Sequence, residues 1–161
     1  MLLEGSCHCG AVRFSLESDS PSPYLRCYCT VCRKVAGGGG YAINLGGDFG
    51  TLKIKGEAEL GRYHKVNRNP QTGEKEKAAG HRCFCRKCGT ALWNYDPGWP
   101  DLVHPFASAI DTSLPPPPES THMMLGSKAN WVVADIREAD SSFDEYPDES
   151  LADWHRRQGL S

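Results

Sequence analysis

Over the first two-thirds of the chain, apolar and polar residues alternate in short runs that glycines interrupt. Residues 11–16 read Ala, Val, Arg, Phe, Ser, Leu, a period of two that suits a half-buried strand. Runs at 41–45, 49–54 and 59–66 behave in the same way, separated by Gly46-Gly47 and Gly56. Residues 65–77 are polar and rich in turn formers, which predicts an exposed hairpin loop. Beyond it, 78–84 and 90–95 predict two more strands, and 102–110 is a further apolar-rich run. No segment here sustains a helical period.

The tail behaves differently. Residues 147–159 carry acids in their first turn, bases in their last and a closing glycine, which predicts a C-terminal helix. Leu151 and Trp154 are its apolar contacts, so weak packing is expected. Leu114-Pro115-Pro116-Pro117-Pro118-Glu119 predicts a polyproline II spacer in a surface loop rather than a ligand for a proline-binding module. The expected fold class is all-β: a small β-sheet domain with a short C-terminal helix. The 161 residues are expected to form one such domain, 1–161.

Composition narrows the function. Eighteen Lys+Arg against twenty Asp+Glu give a formal net charge of -2, without the basic footprint of a nucleic-acid binder. No run approaches the roughly 18 apolar residues that would suggest a membrane span. The N-terminus shows no positive region followed by a long apolar stretch, so no signal peptide is expected and the cytoplasm is the default location.

That compartment changes how the cysteines read. Seven of the eight fall into three clusters: Cys7-His8-Cys9, Cys27-Tyr28-Cys29-Thr30-Val31-Cys32 and Cys85-Arg86-Lys87-Cys88. In a reducing environment such clusters bind metal or do redox chemistry more often than they form disulfides. A structural zinc takes four ligands in a tetrahedron; a catalytic zinc has three and an open position. Cys7, Cys9, Cys85 and Cys88, each pair followed by a glycine, make a set of four with a structural role. Cys27, Cys29 and Cys32 make a set of three. Two zinc ions per chain are therefore expected, one closed and one open. Cys83, or one of the six histidines, could instead close the second site and make it structural. Arg33-Lys34 beside the triplet, and Arg82, Arg86 and Lys87 near the last cluster, could recruit an anion or could be ordinary surface charge.

The ordered motifs Gly5-Ser6-Cys7-His8-Cys9-Gly10-Ala11-Val12, Cys27-x-Cys29-x-x-Cys32-Arg33 and Phe84-Cys85-x-x-Cys88-Gly89-Thr90 resemble the glutathione-dependent formaldehyde-activating enzyme and centromere protein V family. Residues 122–131, with Ser127-Lys128-Ala129-Asn130-Trp131, are similar to that family's C-terminal region, so the likeness covers about residues 5–131. The resemblance implies two zincs divided as above, with Cys27, Cys29 and Cys32 catalytic. It also implies carbon–sulfur lyase chemistry on S-hydroxymethylglutathione or a related adduct, with glutathione as the small-molecule partner. The alternative is a non-catalytic zinc-stabilised binding or scaffold module, in keeping with the centromere branch. A thiol–disulfide redox role for Cys83 is the third reading. Oligomeric state and the acidic tail past Asp135 are left open by the sequence.

Overall fold

In the computed structural model, which describes residues 1–160, twelve strands and two short helices follow one another as three sheets. The first sheet joins β1 (Leu2–Ser6), β2 (Arg13–Glu17) and β6 (Lys53–Lys55), all antiparallel. The second runs in the order β5 (Gly47–Asp48), β10 (Leu102–Pro105), β9 (Ala91–Tyr95), β8 (Lys75–Cys85), β7 (Leu60–Arg68). The third is β12 (Ser141–Ser142), β11 (Ser120–Met123), β3 (Tyr24–Cys27), β4 (Ala42–Asn44), with β11 parallel to both its neighbours. The expected all-β class is what the chain forms.

Alternation explains the main core. Leu3 in β1 and Phe14 and Leu16 in β2 point inward while their neighbours face solvent. They meet Leu60, Cys83, Leu92, Trp93 and Val103 of the five-stranded sheet in one apolar cluster. Phe14 and Trp93 pack edge to face at 5.0 Å, a geometry aromatic quadrupoles favour. A second, smaller cluster gathers Cys27, Cys32, Ala42, Ala91 and Phe106 between the second and third sheets.

Three expectations need correction. The polar stretch 65–77 is mostly strand: β7 and β8 stay paired out to Arg68 and Lys75, leaving only 69–74 as the turn. Both faces of that ribbon meet water, so its ladder hydrogen bonds form without apolar alternation to announce them. A helix, α1 (Thr30–Ala36), follows Cys29, whose sulfur caps it in place of the usual hydroxyl or carboxylate. Finally, the C-terminal helix α2 (Leu151–Arg157) is firmly seated, not weakly packed. Trp154 is buried, its indole N–H donates to Glu119 at 2.6 Å, and His155 reaches the Ser22 carbonyl at 2.7 Å.

Candidate metal centres

Two turns from different sheets build the first cysteine group. Cys7 and Cys9 lie in the β1–β2 connection, and Cys85 and Cys88 close β8 and open the turn to β9. The two turns share one design. The Gly10 amide donates to the Cys7 carbonyl at 2.9 Å, and the Gly89 amide to the Cys85 carbonyl at 2.8 Å. Both glycines sit at φ +75°, a left-handed backbone that a Cβ would strain. Each turn thereby curls its two sulfurs inward.

The four sulfurs lie within 4.8 Å of one another. Cys7 and Cys9 are 3.6 Å apart, and Cys9 and Cys85 3.8 Å. A tetrahedral ion with sulfur bonds of about 2.3 Å needs ligand separations of about 3.8 Å. The group can therefore hold a metal ion. Supporting donors are in place too: the Val12 amide reaches the Cys7 sulfur at 3.2 Å, and the Thr90 hydroxyl lies 3.1 Å from Cys88. The Thr90 hydroxyl, and after it the Thr90 amide, bring the Cys88 thiol down to about 5.

The second group comes from one short stretch of chain. Cys27 ends β3, paired with Ala42 of β4 and Met123 of β11; Cys29 caps α1; Cys32 lies in its first turn. The tight reversal from strand to helix puts the three sulfurs within 4.8 Å of one another, half-buried to buried. The Cys32 amide donates to the Cys29 sulfur at 3.3 Å. Contacts with Cys27, then Cys32, hold the Cys29 thiol down at about 2, while the same Cys29 contact pushes Cys27 far above the ordinary thiol range. So close a trio cannot all ionise unless a cation compensates them, which makes this group also able to hold a metal ion.

Cys83 belongs to neither group among the described residues. It points into the main core beside Leu60 and Trp93, and burial pushes its thiol up to about 12. None of the six histidines joins either group.

The structure also reveals residues that motif spacing missed. Tyr28, between two cysteines of the triplet, donates its buried hydroxyl to His122 Nδ1 at 2.8 Å. His122 Nε2 faces Asp140 at 3.3 Å, and Asp140 in turn receives Arg137 at 2.7 Å and the Ser120 amide at 2.8 Å. Burial outweighs Asp140 and keeps His122 below its ordinary value, hence neutral. Burial would raise the Asp140 carboxyl, but Arg137 and the surrounding amides hold it well below the usual range. This chain of contacts anchors the backbone between Cys27 and Cys29 to β11 and the acidic tail.

A family model described as glutathione-dependent formaldehyde-activating enzyme matches residues 2–124. The chain belongs to that family. A curated family relative from Halomonas elongata, named "Putative glutathione-dependent formaldehyde-activating enzyme", is 56% identical over 160 residues, covering 99% of this chain and 98% of its own. The crystal structure of a Rhodobacter sphaeroides protein is similar in fold, with a TM-score of 0.50 at 22% identity over 70% of this chain and 91% of that one. The family match takes in both cysteine groups but stops short of Asp140 and α2.

Proposed function

We propose that the protein is a zinc-dependent carbon–sulfur lyase acting on S-hydroxymethylglutathione or a closely related thiol–aldehyde adduct. The observation that carries this reading is the Cys27–Cys29–Cys32 trio, gathered without a fourth cysteine or histidine, in a chain of the formaldehyde-activating family. Zinc bound there would supply an open, Lewis-acidic coordination position beside three sulfurs. The four-sulfur group, in this reading, is a closed structural zinc site, giving two ions per chain.

The reaction balances simply. In one direction a thiolate sulfur adds to the carbonyl carbon of formaldehyde, and the former carbonyl oxygen takes a proton. In the other, that hydroxyl gives up its proton and the carbon–sulfur bond breaks. Formaldehyde and thiols combine unaided, so what the protein contributes is position. Cys27, Cys29 and Cys32 hold the reacting centre. Ala42, Ala91 and Phe106 pack against its inner side and keep water from it. Tyr28, fixed through His122, sets the spacing of the first two cysteines.

The test uses zinc-loaded protein. Exchange between formaldehyde, glutathione and adduct, followed by NMR, is expected to run faster than in buffer. Cys32→Ser should return it to the buffer rate while zinc content falls from two to about one. Two zincs per chain with no acceleration by the wild-type protein would rule the reading out.

A further inference from the structure

Val103 of β10 points into the main core, so alternation turns its neighbours Leu102 and His104 to the opposite face of that strand. On the third sheet, Leu25 and Thr121 are register partners and Met123 lies two residues further along β11, so these three also share one face. Both faces line a single cleft of about 250 Å³. Trp99 from the β9–β10 turn, with Phe143, Tyr146 and Trp154 from the tail, completes the wall. For scale, an apolar cavity of about 150 Å³ is enough to take up benzene. None of the cysteines of the trio lines this cleft, and the family match ends at residue 124, before the tail residues that wall it.

Two polar groups stand unpaired in this apolar wall. A carbonyl can only accept, so the 3.0 Å contact with Leu45 puts the His104 proton on Nδ1. Burial keeps the ring neutral, which leaves Nε2 as a bare acceptor. Nε2 has no partner among the described residues and is not one of the polar atoms shut off from water, so it opens on the cleft. The Thr121 hydroxyl is in the same position, on a residue only 5% exposed. Sequestering such groups without partners is unfavourable unless a ligand supplies them. Glu149, the one acid in the wall, is held by Arg157 through hydrogen bonds of 2.9 and 2.8 Å. A neighbouring cleft that shares Trp99 and Leu102 carries Asp19, Asp48 and Asp101. No lysine or arginine lines either cleft.

We propose that this cleft is a binding site for a small neutral aromatic alcohol, with its ring among Trp99, Phe143, Tyr146 and Trp154 and its hydroxyl donating to His104 Nε2. Four aromatic walls favour a ring, which they can meet edge to face or offset. Because Nε2 only accepts, it selects a donor, and the Thr121 hydroxyl can then donate to the ligand's oxygen. A carboxylate fails on both counts: ionised, it has no proton to give, and the three aspartates next door repel it. Concave, mostly apolar walls with a few convergent polar groups are the usual make-up of a small-molecule site. The site is separate from the trio, and this inference does not depend on the lyase reading.

Titration of the zinc-loaded protein with p-cresol, followed by proton–nitrogen NMR, tests this. Saturable shifts are expected at the residues of the cleft, the Trp99 and Trp154 indoles among them, with a Kd on the order of 1 mM or below. Toluene, which lacks the hydroxyl, should bind roughly threefold to tenfold more weakly, and p-toluate should not bind. His104→Asn keeps a donor for Leu45 but withdraws Nε2, so it should bind p-cresol no better than toluene. Trp99→Ala, at an exposed position, should weaken both ligands by roughly tenfold. Trp131→Ala removes another exposed ring, outside the cleft, and should change neither. Melting curves show whether the variants fold; if His104→Asn does not, the ligand series on the wild type decides. The proposal is overturned by equal affinity for toluene and p-cresol, by p-toluate binding as well as p-cresol, or by shifts scattered over the surface. Self-association that buries Trp99 against a second copy and excludes p-cresol overturns it too. Adduct exchange at the trio is a separate measurement, so this proposal and the lyase reading fail independently.

Discussion

At the scale of single residues, several buried and half-buried polar side chains are hydrogen-bonded within the chain. His104 is one of them. It lies in β10, with Nδ1 donating to the Leu45 carbonyl at 3.0 Å, and burial lowers its pKa below the ordinary histidine value. A histidine whose folded pKa is depressed binds a proton first in the unfolded chain, so its presence favours folding less as the pH falls below about 6.5. The expected contribution is a loss approaching 1.4 kcal/mol per pH unit in that window. Urea unfolding at pH 7.5 and 5.5 checks it. His104→Asn keeps a donor for Leu45 but cannot titrate, so its midpoint should fall less steeply than that of the wild type. Identical slopes would show that His104 is protonated in the folded state.

At the scale of elements, α2 and α1 show how little sequence a short helix needs when something else holds it. α2 is capped by Ser150, whose hydroxyl accepts from the Asp153 amide, and it is pinned by Trp154. Trp154→Ala would open a cavity and leave the Glu119 carboxylate without its indole donor. A destabilisation of about 3–5 kcal/mol is expected, against about 1 kcal/mol for Trp154→Phe, which keeps most of the ring. Thermal or urea unfolding of the two variants separates a seated helix from a loose one. If both variants melt with the wild type, the helix contributes nothing to the fold. α1 rests on smaller side chains: Cys32 is buried in the second cluster, Val35 and Ala36 pack against it, and Cys29 caps the helix.

For the whole molecule, the four-sulfur group ties the β1–β2 turn to the β8–β9 turn, joining two sheets through residues 76 positions apart in the chain. If it holds the structural ion proposed above, removing the metal withdraws on the order of 10 kcal/mol, comparable to the whole stability of a domain. Cys85→Ser or a strong chelator should therefore abolish the cooperative melting transition seen by circular dichroism. Cys27→Ser, which disturbs the trio, should lower activity far more than it lowers the melting temperature. The reverse ordering would mean that the roles of the two groups have been exchanged.

Much of this was legible in the residues themselves. A glycine after each pair, a Cys-x-Cys-x-x-Cys trio and period-two alternation in β2 are local features, and local sterics and ligand chemistry were enough to read them. The exposed ribbon of β7 and β8 was not legible, because a strand with water on both faces leaves no apolar period. Nor was α1, whose cap is a thiol. Apart from the grouping of Cys7 and Cys9 with Cys85 and Cys88, contacts between distant residues were beyond the sequence. Only the folded chain sends Cys83 into the core and away from the trio and brings Asp140 to His122. The sequence by itself determined which atoms could bind metal, since that follows from residue type and spacing. The tertiary structure decided that Cys83 stands apart from both groups and which polar residues stand beside the trio, because strand register and face are set by packing across the sheets.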